Sequence, residues 1–127
     1  MALLLPDTNI LIHVLRGRPE TLMFLAKMLD AEHVLASCSI TITEIFAGMK
    51  PSEEARTRAL MGTFSYLPTT PAIAEQAGLL KRNWSKKGRS LSLPDATLAA
   101  VAIANGCVLV TENVKDFPMP EITLLAC

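Results

Sequence analysis

The chain has 127 residues, half of them hydrophobic and 19% charged, which suits one globular domain over residues 1–127 and excludes a disordered or low-complexity protein. Twelve basic residues balance twelve acidic ones, so charge gives no support to a protein that coats nucleic acid non-specifically. No apolar run reaches bilayer length, the start Met1-Ala2-Leu3 carries no recognisable export signal, and Cys38, Cys107 and Cys127 fit small hydrophobes in a reducing, cytoplasmic setting better than a disulfide frame.

Leu3-Leu4-Leu5-Pro6 is an apolar run that stops at Asp7, and a helical pattern (Ile10, Leu11, Val14, Leu15) follows at once. This reads as a buried strand delivering a carboxylate to its C-terminal end. Gly17 and Pro19 break the chain, and Pro19 to Glu32 predicts a helix with Leu22, Leu25, Ala26 and Leu29 on one face. His33 to Ser39 is a second strand, and Thr41 to Gly48 a short helix closed by Gly48 and Pro51. Pro51 to Phe64 predicts another helix, with Glu53 and Glu54 at its positive end. Tyr66 to Thr70 is an edge-like strand, because Pro68 cannot donate to a ladder. Pro71 opens a longer helix with Ile73, Ala77, Leu80 and Trp84 at core spacing, ending in the basic stretch Lys81 to Arg89. Pro94 starts an alanine-rich helix that ends at Gly106. Cys107 to Val110 and Ile122 to Leu125 are the last strands. Alternating strands and helices predict an α/β fold, with a mostly parallel central sheet between two helical layers.

Each acidic candidate has an ordinary structural explanation. Asp7 suits a helix N-cap, and Glu44 follows Thr41 at capping-box spacing. Asp95 follows Ser92 at the same spacing, and Asp116 suits an Asx turn. Together they say more. Asp7, Glu44 and Asp95 each fall near a helix start, and Asp116 follows a strand. In a parallel sheet such junctions lie on one edge, where ligands bind. Carboxylates meeting there repel one another unless a cation joins them. Oxygen ligands without a His or Cys cluster point to Mg²⁺ or Mn²⁺ rather than zinc. The chemistry that follows is phosphodiester hydrolysis by water activated at the metal. No G-x-S-x-G and no Cys beside a His offers a covalent nucleophile.

Pro6-Asp7-Thr8-Asn9-Ile10, Thr43-Glu44-Ile45-Phe46-Ala47-Gly48, Leu93-Pro94-Asp95-Ala96 and Val110-Thr111-Glu112-Asn113-Val114-Lys115-Asp116-Phe117 stand in the order seen in PIN domains. From Leu3 to the last strand, the chain resembles the small VapC-type ribonuclease toxins of bacterial toxin–antitoxin pairs. The resemblance implies a PIN-like α/β/α fold and an Mg²⁺-dependent endoribonuclease acting on RNA. It also implies a homodimer and a cognate antitoxin that blocks the site. Asp7, Glu44 and Asp95 would be the acidic core that binds the metal, and Thr8, Asn9 and Thr111 would orient those acids. Asn113 stands where many members have Asp, and Glu112 where a basic residue is expected. Asp116 is therefore carried as the fourth ligand, directly or through water, while Asn113 can offer only a neutral oxygen.

Lys81, Arg82, Lys86, Lys87 and Arg89 could grip RNA phosphates, with Trp84 stacking a base. The competing reading makes Trp84 core and the charges a solvated helix end. His13 falls off its helix's apolar stripe and reads as a surface residue, and His33 has no visible partner. A non-catalytic RNA- or protein-binding module on the same fold is the alternative function, motivated by Asn113 and the neutral charge. A phosphotransferase using Asp7 as nucleophile ranks last, because Asn9 stands where a second acid would be needed.

Overall fold

Five short strands alternate with helices in the computed structural model, which describes all of residues 1–127. The strands are β1 (Leu3–Pro6), β2 (Val34–Cys38), β3 (Ser65–Leu67), β4 (Val108–Thr111) and β5 (Thr123–Ala126). The helices are α1 (Thr8–Leu15), α2 (Pro19–Asp30), α3 (Ser39–Gly48), α4 (Glu54–Met61), α5 (Pro71–Lys86) and α6 (Leu93–Asn105). Short 3-10 turns cover Pro51–Glu53 and Val114–Asp116. The strands form one sheet in the order β3-β2-β1-β4-β5, and every pairing is parallel.

A parallel sheet needs both faces covered, so its central strands read as continuous apolar runs rather than alternating ones. Leu5, Ala36, Cys38 and Leu109 point into the larger core under α5 and α6. Leu4 and Val110 point the other way, against Ile10 of α1 and Phe24 and Met28 of α2. A third cluster, Leu11, Ile45 and Met61, joins α1, α3 and α4. The alanines explain the close approach of α6 to α5: Ala96, Ala99, Ala100 and Ala102 are all buried, and small side chains let the two helices lie close together. Gly106 closes that helix with φ +62, a left-handed cap that glycine adopts without steric cost.

Four expectations change. The third helix begins at Ser39, not Thr41, because the Thr41 hydroxyl folds back to the Cys38 carbonyl at 2.9 Å and caps the first turn. Thr41 is therefore inside the helix, and Glu44 is not its capping-box partner. The helix expected over Pro51–Phe64 opens as a 3-10 turn and stops at Met61. His13 is no surface residue. Its side chain is only 14% exposed and its Nδ1 lies 3.6 Å from Glu112 Oε2. His33 does have a partner, accepting the Ala2 amide at 2.9 Å and tying the chain start to β2.

Candidate active site

Strands are added outward from β1 in both directions, so the winding reverses between β1 and β4. At such a switch point the connections leave to opposite sides and open a crevice beyond the carboxyl ends of the strands. Asp7 follows β1 and Thr111 ends β4. The register Pro6↔Val110 sets the two side by side at that point.

Asp7 serves as cap and as cleft residue at once. Its Oδ1 accepts the Ile10 amide at 3.1 Å, the N-cap bond of α1. Its Oδ2 accepts the Thr111 hydroxyl at 2.6 Å. Thr111 is fully buried, and its oxygen in turn accepts the Asn113 amide at 3.0 Å. Burial pushes the Asp7 carboxyl above its ordinary value, and the bonds from Thr111 and Ile10 oppose that rise. The charge of Glu112 adds to the rise, and His13 opposes it. Glu112 and His13 thus form a mutually compensating pair behind Asp7. Sequence reasoning missed this pair, since nothing local links a helix residue to one after a distant strand.

Glu44 stands in the second turn of α3 and accepts the Thr8 hydroxyl at 2.6 Å. Asp95 is the third residue of α6, where the Ser92 oxygen accepts its amide at 3.1 Å and caps the helix. Burial again raises the carboxyl. A hydrogen bond with Ser92 lowers it, and the charges of Asp116, Asp7 and Glu44 raise it further. Asp95 therefore feels all three other acids. Asp7, Thr8, Asn9, Glu44 and Asp95 form the polar wall of an open cleft of about 310 Å³, completed by Ile12, Ile40, Pro94 and Leu98. No Lys, Arg or His lines it. Asp116 ends the 3-10 turn beyond the cleft wall, makes no Asx bond, and faces Asp95 electrostatically. Asn113 contributes a backbone bond to this region, and its side chain makes none.

The basic stretch is less free than its sequence suggests. Lys81 Nζ donates to the Leu91 carbonyl and Arg89 Nη2 to the Lys115 carbonyl. Lys87 lies 4.4 Å over the Trp84 ring, and Trp84 packs against the main core. Arg82 and Lys86 remain exposed and without an ion pair.

The donor set suits a hard divalent cation, being oxygen-only, acidic and open to solvent. As they stand, no three acidic, imidazole or thiol groups converge on one ion-sized point. That arrangement still fits Mg²⁺, which is commonly held by one or two carboxylates and keeps several waters. Asp7 is buried and held by two hydrogen bonds, while Glu44 is exposed and held by the Thr8 hydroxyl alone.

Comparison with known proteins places this geometry in context. A family model described as PIN domain matches residues 4–118. The chain is 32% identical to ribonuclease VapC19 of Mycobacterium tuberculosis over 113 residues, covering 89% of this chain and 90% of the relative. It is 32% identical to ribonuclease VapC2 of Haemophilus influenzae, covering 87% and 86% of the two chains. Among solved structures, a toxin–antitoxin complex from Klebsiella pneumoniae aligns at TM-score 0.76 and 34% identity, covering 94% of each chain. VapBC2 from Rickettsia felis, bound to a DNA fragment from its promoter, aligns at TM-score 0.86 over 98% of each chain, with 21% identity.

Proposed function

The chain belongs to the PIN-domain family, and from that premise we propose that it is an Mg²⁺-dependent endoribonuclease and the toxin of a toxin–antitoxin pair. The observation that carries this reading is the cleft at the switch point, where Asp7, Glu44 and Asp95 share a wall that holds no basic side chain. RNA as substrate is supported by the relatives that bear the name ribonuclease. An antitoxin partner is supported by the neighbours that are toxin–antitoxin complexes. No helix is long and apolar enough to cross a membrane.

Asp7 is the anchoring ligand. Each of its oxygens accepts one hydrogen bond and keeps a lone pair for a cation. Asp95 and Glu44 complete the set across the cleft, and Asp116 acts beside Asp95, directly or through water. Thr111 and Thr8 each donate at 2.6 Å and so fix which way the Asp7 and Glu44 carboxylates turn. Asn9 lines the cleft beside Thr8, where it can orient the acids, and Asn113 has only a neutral oxygen to offer. When bound, Mg²⁺ or Mn²⁺ supplies charge against the reacting phosphate and lowers the pKa of a water. Ile12, Ile40 and Leu98 form the apolar side of the cleft. Arg82 and Lys86 remain available to RNA phosphates.

The protein, freed of any antitoxin, is expected to cut cellular RNA with Mg²⁺ or Mn²⁺ and not with EDTA. Asp95→Asn is expected to stay folded and lose cutting. A non-catalytic binding module is the second reading, favoured by Asn113 and by the acids' failure to close on one point. It predicts RNA or partner binding that survives Asp95→Asn and ignores Mg²⁺. A second copy in solution, expected of this family, is read by sedimentation.

A further inference from the structure

The Val114–Asp116 turn carries the fourth acid; its three residues are exposed and lie beside β5. Its own bonds, Asp116 amide to Asn113 carbonyl at 2.9 Å and Phe117 amide to Val114 carbonyl at 3.1 Å, close the turn without fixing it to a neighbour. On its apolar side, Phe117 and Met119 are buried in the main core. The α5–α6 loop has the same construction, with Leu91 buried in that core. Between the two segments runs a single hydrogen bond, from Arg89 Nη2 to the carbonyl of Lys115 at 2.5 Å, joining residues 26 apart in sequence. The acceptor is the residue before Asp116, and the donor lies in the loop that leads into the helix carrying Asp95. Lys81 Nζ fixes the same loop from α5 through the Leu91 carbonyl, one residue before the Ser92 cap.

We propose that Arg89, braced by the Lys81 contact in the same loop, is a positioning residue that holds the Asp116 turn against the Asp95 helix, so that the third and fourth acids face one site. The physical need is clear. Asp116 and Asp95 carry like charges that act on each other, and an exposed turn would relieve that repulsion by moving outward. A guanidinium is the suitable tie, because it stays charged at any working pH and donates in a fixed plane. The inference rests on the nuclease reading of the cleft for its consequence, but not for its geometry.

Arg89→Ala and Arg89→Lys in the full chain test it by three readouts. Amide exchange at Asp116 and Phe117, measured without metal, is expected to quicken in Arg89→Ala and to recover in part in Arg89→Lys. Mg²⁺ affinity by calorimetry is expected to fall about 10-fold in Arg89→Ala, the cost typical of losing a group that backs a metal ligand. RNA cutting is expected to fall through kcat with KM little changed. Unchanged exchange overturns the proposal. So does a raised KM with a shallower salt dependence and unaltered kcat, which would make Arg89 a phosphate contact instead. If wild type neither binds Mg²⁺ nor cuts RNA, the nuclease reading falls, and the exchange measurement alone decides whether Arg89 positions the turn.

Discussion

Replacing Thr111 by valine isolates the bond on which the site's geometry depends. The side chain is fully buried and its shape is kept, so the change removes the hydroxyl and little else. Asp7 Oδ2 loses a 2.6 Å donor, and the Asn113 amide loses its acceptor. A hydrogen bond to a charged group contributes about 1.5–3 kcal/mol, and the half-buried Asn113 amide can turn to water. The expected loss at pH 7 is thus about 2–3 kcal/mol, or roughly 8–12 °C in Tm for a domain of this length. The loss also depends on pH. Asp7 already holds its proton more tightly than an ordinary carboxyl, and removing the Thr111 bond raises that carboxyl further. A protonated Asp7 has less need of a donor, so the penalty shrinks to about 1 kcal/mol in acid. Urea unfolding at pH 7 and at about pH 3, below the ordinary carboxyl value, measures both values. A loss under about 0.5 kcal/mol at pH 7, or an equal loss at both, would refute the reasoning.

Three further outcomes are expected. Without metal, the Asp7 and Asp95 carboxyls are both raised, so their burial is least unfavourable below about pH 4, where folded and unfolded forms are protonated alike. Stability from these two groups then falls as pH climbs through their raised folded values, and Asp95→Asn removes part of that fall in thermal melts across the pH range. Magnesium at 100 times its Kd should stabilise wild type by about 2.7 kcal/mol and Asp95→Asn by far less; equal Mg²⁺ stabilisation of the two would count against a shared site. Thr8→Val frees the Glu44 carboxylate, an exposed bond, so Mg²⁺ affinity should drop about 10-fold while Tm moves little, read by calorimetry and melting together.

The parts of this molecule legible in its sequence are those encoded locally. Leu3-Leu4-Leu5-Pro6-Asp7 declares a strand that ends on a carboxylate, and Ser92-Leu93-Pro94-Asp95 declares a capped helix start. Both follow from composition over a few residues, and the parallel sheet follows from their alternation. Glu44 was harder. Its helix starts two residues early on a Cys38 cap, and cysteine is no recognised N-cap signal. Pairings across the chain were not legible at all. The His13–Glu112 contact joins a helix to the end of a strand placed beside it by sheet order. Arg89 donates to a backbone carbonyl, and a carbonyl carries no side-chain identity to read. The Lys81 to Arg89 stretch looked uniformly basic, yet its members have different partners once α5 and the following loop are folded.

The central claim is that the acid following β1 and those on α3 and α6 share one cation at the switch point. Crystals soaked in Mn²⁺ and measured for anomalous scattering test it most directly. The account predicts a peak in the cleft, within direct coordination distance of Asp7 or Asp95, with the remaining acids reaching it directly or through water. A cleft without a peak at saturating Mn²⁺, or a metal bound only elsewhere on the surface, would contradict it.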